Sequence, residues 1–320
     1  MPAPPASQRP DRPLAGVLCV FQTPYLSDES LDFATLENEI HWLFDRGADG
    51  IVLAMVSEVL RLSGTERLQL AEAACEVGSP RGVVVISVGA ESSHTAEGFA
   101  RHAQQVGADA VMAVPPIAVA LAEEQLLEYY RRILRAVEIP VIVQDASGYV
   151  GRPLPISLLA RLLDEFGPRV LFKPEATPIG PKLTELREST DGRARVFEGS
   201  GGIALVDNYR RGIVGTMPGA DLIDAIVALW QALSANDERR TYELSLPLSS
   251  LVGLQKGLDG FLAVEKYLLK RQGIFRNTVV RGPVGWRLDD ETRQEVDRLF
   301  DLVMHAVQST AGYSQETSAP

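Results

Sequence analysis

The sequence predicts a (β/α)8 barrel with an added C-terminal helical region. Two observations carry this prediction. Short apolar runs rich in β-branched residues alternate with stretches of helical period, and the runs number eight. The turn after the first run, Gln22-Thr23-Pro24, also lacks the glycine-rich segment that an open nucleotide-binding sheet carries there. Eight successive strand-helix units close into a parallel barrel.

The predicted strands recur along the first two thirds of the chain. Three of them follow glycines, at Gly47, Gly107 and Gly212, which is typical of a helix C-terminus that leads into a strand. The eight predicted strands span residues 16–21, 50–54, 83–88, 110–114, 141–143, 170–172, 195–198 and 212–217.

Helical periodicity fills the intervals between these strands. Ser63-Gly64-Thr65-Glu66 predicts a capping box at one helix start, because the serine oxygen and the glutamate can each accept a backbone N–H. Two further helical patterns, at 251–271 and 289–307, follow the last strand. The predicted helices of the barrel span residues 31–46, 66–77, 96–106, 123–137, 156–166, 181–188, 203–210 and 220–233. We therefore expect a flexible tail over 1–13, the barrel over 14–235, C-terminal helices packed on the barrel over 236–308, and a flexible tail over 309–320.

Composition and charge favour small-molecule work. The chain is 46% hydrophobic, which suffices for a sizeable core, and its net charge of -11 with a pI near 5.0 disfavours nucleic acid or an anionic membrane as a main partner. No stretch approaches the roughly 20 apolar residues of a membrane span, and the start of the chain has no apolar signal region. Cys19 and Cys75 are expected to be core thiols in a reducing compartment. We expect a cytoplasmic protein with a small-molecule substrate and with no nucleic-acid or membrane partner.

Lys173 is the most informative residue, because it lies at the end of an apolar strand. Burial disfavours an ammonium group relative to the amine, and a neutral amine can attack a carbonyl carbon to form a Schiff base. Glu175 follows two residues later and so points to the same face of the strand. An ordinary role stays open, in which Lys173 reaches solvent or pairs with Glu175.

The ends of the other predicted strands supply further candidate groups, since catalytic groups of such barrels lie at the C-terminal ends of the strands. Tyr149 lies in a glycine-flanked loop after the fifth strand that could fold over the mouth of the barrel. The four histidines have no metal-ligand spacing, so we expect no metal and no cofactor. The remaining candidates at strand ends are Thr23, Ser57, Glu58, Gln144, Asp145, Gly199, Gly201 and Thr216.

Together these motifs resemble the dihydrodipicolinate synthase and N-acetylneuraminate lyase family, the pyruvate-type class I aldolases, from about residue 14 to residue 302. The resemblance implies a TIM barrel, a Schiff base on Lys173, no cofactor, and a homo-oligomer that is a dimer or a tetramer. The motifs that carry it are Phe172-Lys173-Pro174-Glu175-Ala176-Thr177, Ser57-Glu58 with residues 62–67, Gln22-Thr23-Pro24, and residues 199–202 with 215–219.

The chain departs from this family in the groups that hold and protonate the substrate. Members carry two threonines in the strand-two turn that hold the carboxylate of a 2-oxo acid, and here those places fall on Met55 and Val56. The catalytic tyrosine at the end of strand five falls on Gln144, and an amide is no acid or base near neutral pH. A second tyrosine falls on Ile117, and the arginine at the mouth of the site falls on Tyr149. Synthesis of dihydrodipicolinate itself is therefore not expected.

The predicted activity is that of a carbon-carbon or carbon-oxygen lyase, an aldolase or a dehydratase, which acts on a 2-oxo acid or related carbonyl through Lys173. Glu175 is expected either to move protons or to serve only as a counter-ion, and Tyr149 either to deliver a phenol or only to pack. Two alternatives stay open: another imine-based enzyme, such as a hydrolase or deaminase, and a catalytically silent barrel that binds a metabolite. Thr23, Ser57, Gln144, Gly199, Gly201 and Thr216 are the predicted substrate-binding residues, and Glu58 is the predicted support of the strand-two turn.

Overall fold

The computed structural model describes residues 12–309, where eight parallel strands alternate with helices. The strands are β1 Gly16–Val20, β2 Gly50–Leu53, β3 Val83–Ser87, β4 Ala110–Ala113, β5 Val141–Asp145, β6 Val170–Pro174, β7 Phe197–Glu198 and β8 Gly215–Thr216. They pair in the order β6-β5-β4-β3-β2-β1-β8-β7. An isolated bridge between Phe172 and Val196 joins β6 to the residue before β7 and so brings the ring close to closure.

The helices surround this ring and continue past its last strand. Those of the barrel are α1 Phe33–Asp45, α2 Gly64–Gly78, α3 Ser93–Val106, α4 Glu123–Ala136, α5 Ile156–Phe166, α6 Ile179–Ser189, α7 Leu205–Arg210 and α8 Ile223–Ser234. The C-terminal helices are α9 Glu238–Val252, α10 Gly257–Arg271 and α11 Asp290–Gln308. The predicted fold class, a TIM barrel with an added helical region, is confirmed.

Several predicted boundaries were wrong. The seventh and eighth strands are shorter than predicted. The eighth starts late because Gly212 still belongs to the turn that ends α7, where its φ is 90° and its N–H donates to the Tyr209 carbonyl oxygen. The predicted helix over 251–271 covers the last two residues of α9 and the whole of α10, which starts at Gly257, whose φ of 65° favours glycine. The rest of α9 was not predicted, because the helix contains Pro247.

The core has two layers. Side chains inside the barrel, such as Leu18, Val52, Met112, Ile142 and Phe197, form one buried cluster. A larger cluster lies between the sheet and the helices and includes both cysteines, which are buried in the core as expected. The predicted capping box is present, because Ser63 accepts from the Glu66 N–H while Glu66 accepts from the Ser63 N–H.

The C-terminal helices reach the site in one place. Helix α9 packs on α8 and α11 at the side of the barrel, whereas α10 contacts a short 3-10 helix, Met55–Ser57, that follows β2. Since β2 ends at the catalytic face of the barrel, α10 belongs to the wall of that face.

The predicted flexible tails lie almost entirely outside the described residues, and the predicted domain boundaries stay predictions. Arg12, at the end of the predicted N-terminal tail, donates to the carbonyl oxygens of Ser79 and Gly82, each at 2.7 Å. Within residues 12–309, no helix is long and apolar enough to cross a membrane.

Candidate active site

Lys173 and Glu175 form a buried ion pair at the end of β6. The Lys173 Nζ lies 2.8 Å from the Glu175 Oε1, and the side chains are only 4% and 5% exposed. The other carboxylate oxygen, Oε2, accepts a hydrogen bond of 2.6 Å from the Gln144 amide. Gln144 is the register partner of Lys173 on β5, so strand pairing brings all three groups together.

Burial raises the pKa of the Glu175 carboxyl above its ordinary value of 4.5. The Lys173 ammonium and the Gln144 amide act in the opposite direction, and the Glu198 carboxylate adds to the increase. The net rise indicates that Glu175 holds a proton more readily than a solvated glutamate does. A carboxyl group with this property beside an amine can exchange a proton with it.

Glu198 is a second buried carboxylate of the site, and the sequence analysis missed it. Its Oε2 accepts from the Thr216 hydroxyl at 2.6 Å, and its Oε1 accepts from the Ser200 N–H. The side chain is 1% exposed. The sequence contains the feature that would have identified it, because Glu198 is a charged residue at the end of the seventh predicted strand, directly before Gly199.

Gly199 presses its backbone against the ion pair. A Cβ added at this position would lie 2.8 Å from the Lys173 Nζ and 2.8 Å from the Glu175 Oε1. Only glycine leaves this space free. The end of β7 therefore forms one side of the space around the amine.

A closed pocket surrounds the ion pair. The space open to the centre of a water molecule is about 10 Å³, which is room for roughly one water. Its polar lining comes from Lys173, Glu175, Gln144 and Tyr149, and Gly199 and Gly201 contribute backbone. The apolar lining comes from Val20, Ala54, Met55, Val56, Met217 and Phe261.

Tyr149 reaches this pocket from the loop after β5. Burial raises the pKa of its phenol, and the Glu175 and Glu198 carboxylates raise it further. A phenol of this kind keeps its proton and donates hydrogen bonds. The loop fits closely here, since a Cβ added at Gly148 would lie 2.7 Å from the Glu175 carbonyl oxygen.

The structure does not bring the predicted hydroxyl groups to the pocket. Ser57 donates to the Phe21 carbonyl oxygen at 2.6 Å, and Thr23 donates to the Ser57 carbonyl oxygen at 2.5 Å. Thr216 is occupied by Glu198, and none of the three lines the pocket. The hydroxyl groups of Thr23 and Ser57 hold backbone in these turns and that of Thr216 holds a carboxylate, so the predicted contacts of the three with substrate stay predictions.

Glu58 and Asp145 also lie outside the pocket lining. Glu58 is 2% exposed and forms an ion pair with the Lys266 ammonium of α10. Its role as support of the strand-two turn stays a prediction, and Lys266 is the residue through which it would act. Asp145 turns away from the pocket and accepts from the backbone N–H groups of Ser147 and Leu154, at 3.0 and 2.9 Å. It therefore holds the loop that carries Tyr149.

Comparison with known proteins gives the class. The sequence profile of the dihydrodipicolinate synthetase family matches residues 13–302. The L-2-keto-3-deoxyarabonate dehydratase of Azospirillum brasilense is 30% identical over 289 residues, covering 88% of this chain and 92% of that enzyme. Dihydrodipicolinate synthase from Rhodopseudomonas palustris superposes with a TM-score of 0.80 at 25% identity, covering 90% of this chain and 97% of that chain. The sialic acid aldolase of Ruminococcus gnavus shares the fold, with a TM-score of 0.82 at 19% identity over 92% and 98% of the two chains.

The fold, the family match and the lysine at the end of β6 define a lyase of the class I aldolase type. The chain belongs to the dihydrodipicolinate synthetase family.

Proposed function

We propose that this protein forms a Schiff base between Lys173 and the keto carbon of a 2-oxo acid and then removes water from the bound substrate. The observation that supports this most directly is the 2.8 Å contact between the Lys173 Nζ and the Glu175 Oε1 in a closed pocket. The contact joins a nucleophile to a proton carrier without any intervening group.

The first half of the reaction prepares the imine. Glu175 takes a proton from the Lys173 ammonium, and the neutral Nζ attacks C2, the keto carbon. The carbonyl oxygen receives that proton and leaves as water after a second proton transfer, so that C2 and Nζ are joined by an iminium. The iminium then draws electrons from the neighbouring carbon, C3.

The second half breaks a carbon-oxygen bond. The Glu175 carboxylate removes a proton from C3 and leaves an enamine, whose electrons expel the hydroxyl group on C4. Glu175 gives its proton to that leaving group, which departs as water. In the conjugated iminium that remains, a proton moves from C5 to C3, and the enol so formed becomes an aldehyde at C5 when its hydroxyl proton moves to C4. Water then hydrolyses the imine and returns the amine of Lys173.

Two observations favour dehydration over cleavage of the C3–C4 bond. The Azospirillum brasilense relative is named as a dehydratase of a 2-keto-3-deoxy acid, and it matches this chain over 88% of its length. The site also places a carboxyl of raised pKa, Glu175, where an acid is needed to protonate a poor leaving group. We therefore infer a 2-keto-3-deoxy sugar acid as the substrate class.

The other groups of the pocket have supporting roles in this mechanism. Gln144 orients Glu175, Glu198 raises its proton affinity by like charge, and Tyr149 donates a hydrogen bond toward the reacting oxygen. Gly199 and Gly201 let the substrate approach the backbone closely. A homo-oligomeric assembly, a cytoplasmic location and the absence of a cofactor stay predictions from the sequence.

Borohydride trapping tests the covalent step. The protein is incubated with 2-keto-3-deoxypentonate or pyruvate and reduced, and the modified peptide is identified by mass spectrometry. We expect an adduct on Lys173 that adds to the peptide the mass of the carbonyl compound less one oxygen atom, because imine formation releases water and reduction restores two hydrogens. Lys173→Arg should give none, and an adduct on another lysine, or none with the folded wild type, would refute the proposal.

Product analysis separates the two lyase reactions. Dehydration of 2-keto-3-deoxypentonate gives one five-carbon dicarbonyl acid, whereas aldol cleavage gives pyruvate and a two-carbon aldehyde. We expect the five-carbon product. Pyruvate as the main product would replace dehydratase by aldolase while leaving the Schiff base in place.

A further inference from the structure

Behind the apolar wall of the pocket lies a second group of polar side chains, Gln22, Glu39 and Glu265, which we call the Gln22 cluster. All three are 0% exposed. Gln22 follows β1, Glu39 belongs to α1 and Glu265 belongs to α10. The proposed reaction uses none of them.

Gln22 joins the two glutamates to the pocket wall. Its backbone N–H donates to the Glu39 Oε1 at 2.8 Å. Its side-chain amide donates to the Val56 carbonyl oxygen at 2.7 Å and to the Glu265 Oε2. Since Val56 lines the pocket, this amide ties the turn after β2 to helix α10.

Glu265 fixes the opposite side of the same wall. Its Oε1 accepts the Ala220 N–H at 2.6 Å, and a Cβ added at Gly219 would lie 2.7 Å from that oxygen. Gly219 and Phe261 both line the pocket, and Phe261 lies one helical turn before Glu265 in α10. The Gln22 cluster thus sets the positions of two loops and one helix around the substrate space.

Acceptors outnumber donors in the hydrogen bonding of the cluster. Within residues 12–309, the Glu39 Oε2 and the Gln22 Oε1 are both buried without a hydrogen-bond partner, and both are acceptors when Glu39 is ionised. A proton on the Glu39 Oε2 turns one of these acceptors into a donor. It also removes a charge from a buried oxygen that has no donor beside it.

Neighbouring charges do not neutralise the two glutamates. Lys266 is the cation whose charge acts on both, but its ammonium is in contact with Glu58 and donates to the carbonyl oxygens of Thr23 and Val279, at 2.9 and 2.8 Å. Asp221, in the loop after β8, adds negative charge near Glu265 and accepts from the Gln255 amide at 3.0 Å. Glu39 and Glu265 thus share a cation that is already paired, and the Asp221 carboxyl and the Cys19 thiol lie close to the same two glutamates.

We propose that Gln22 is a positioning residue for the active site, and that it holds the pocket wall in place only while Glu39 and Glu265 are protonated. Ionisation would put two negative charges on either side of one amide in a dry interior, and within residues 12–309 no cation is in contact with either carboxylate, so the cost is high. The wall formed by Val56, Gly219 and Phe261 would then lose its fixed geometry.

The electrostatics agree with this geometry. Burial raises the pKa of Glu39 from 4.5 to about 8 and that of Asp221 from 3.8 to about 7, and it raises the pKa of Glu265 strongly. A carboxyl whose pKa is higher in the folded state contributes stability that is full below its unfolded value and is lost as the pH rises through its folded value. The stability that a protonated Glu39 contributes is therefore lost over the pH range from about 4.5 to about 8.

Unfolding in urea as a function of pH tests the protonated state, and it does not depend on the proposed reaction. Between about pH 6 and pH 8, the wild-type equilibrium constant for folding should fall by roughly tenfold or more. In Glu39→Gln, an uncharged group of similar shape, the fall should be clearly smaller, with near wild-type stability at the lower pH. Glu185→Gln, the same change at an exposed position of α6, is the matched control and should leave the fall unchanged.

An unchanged pH dependence in Glu39→Gln and Glu265→Gln, together with a loss of stability at about pH 6, would overturn the proposal. If either variant fails to fold, infrared spectroscopy of the wild type decides the matter. The C=O stretch of a protonated carboxyl should be present at about pH 6 and should disappear as the pH rises. Its absence at the lower pH would show ionised glutamates.

The activity arm of the test rests on the proposed function. In Gln22→Leu, we expect kcat/KM to fall by roughly tenfold or more while borohydride still traps an adduct on Lys173. The alkaline limb of the kcat/KM profile should also move when Glu39 is replaced by glutamine and stay in place for Glu185→Gln. An unchanged kcat/KM in Gln22→Leu would remove the positioning role even if the glutamates prove to be protonated.

Discussion

At the scale of single residues, the main feature of the site is that the two oxygens of the Glu175 carboxylate have different partners. The Glu175 Oε2 is engaged by Gln144, so proton exchange with Lys173 is left to Oε1. Gln144 stands where the family resemblance leads us to expect a tyrosine, and its amide can orient a carboxylate but cannot move a proton. In the proposed mechanism, the acid-base function therefore belongs to Glu175, just after β6.

Replacing Glu175 should separate imine formation from the later proton transfers. In Glu175→Gln, we expect kcat to fall by about 10²- to 10⁴-fold, because the general acid-base group is lost while the hydrogen bond to Lys173 can persist. Steady-state kinetics on the 2-keto-3-deoxy acid measure this. Glu185→Gln should keep wild-type kcat, and a Glu175→Gln enzyme with full activity would show that Glu175 is only a counter-ion.

Gly199 gives a second test at this scale. In Gly199→Ala, the new Cβ would lie 2.8 Å from the Lys173 Nζ, so the amine must shift from its position. We expect kcat/KM to fall by roughly a hundredfold. The matched control is Gly98→Ala in α3, where a Cβ meets nothing within 4 Å and activity should not change. Equal activity of the two variants would show that the close approach at Gly199 is not needed.

At the scale of elements, a buried ion pair helps helix α10 to hold the turn after β2. Lys266 of α10 and Glu58 are both almost fully buried, and Glu58 has φ 61°, a left-handed conformation that costs a non-glycine residue about 1 kcal/mol or more. Met55 and Val56, just before Glu58, line the pocket. The ion pair thus stabilises a strained turn whose shape defines one side of the site.

Removal of the Lys266 ammonium should be severe. In Lys266→Met, the buried Glu58 carboxylate keeps only the Arg61 guanidinium, whose Nη1 lies 3.8 Å away, so we expect the free energy of unfolding to fall by about 3 kcal/mol. Urea denaturation followed by circular dichroism measures this change. The double variant Lys266→Met with Glu58→Gln should recover part of the loss, because no unpaired charge remains. A loss that is equal in the single and double variants would contradict this account.

The sequence predicts the elements better than the partners of their polar side chains. The eight strands, the capping box at Ser63 and the lysine of β6 depend on local patterns, and each can be read from neighbouring residues. The contact between Gln22 and Glu265 joins residues 243 positions apart, so no local pattern contains it. The hydroxyl groups of Thr23 and Ser57 show the same limit, because each donates to a carbonyl oxygen in the turn after the neighbouring strand, more than 30 positions away along the chain.

At the scale of the whole molecule, the barrel is paired unevenly. Strand β6 shares five register pairs with β5 on one side, but only the isolated bridge from Phe172 to Val196 joins it to the β7 side. Lys173 lies next to this weak junction. Strand β6, which carries Lys173, is therefore paired extensively with β5 and only at one point with the β7 side.

Amide hydrogen exchange should show this asymmetry. We expect backbone amides near residues 195–197 to exchange faster than those of β2 and β3, because few ladder hydrogen bonds protect them. Mass spectrometry of peptides from the native protein measures the difference. A reduced adduct on Lys173 should slow exchange near the junction while leaving β2 and β3 unchanged. Uniform protection around the ring would contradict the uneven pairing.

The pocket that leaves room for roughly one water has a consequence for how the enzyme recognises its substrate. A sugar acid is far larger than that space, so the ligand must capture a less populated open form of the protein. Its apparent dissociation constant then equals the intrinsic constant divided by the fraction of molecules that are open. Selectivity is in this way partly a matter of populations: we expect residues that line the pocket without reacting, such as Met217 and Phe261, to influence KM through the cost of opening.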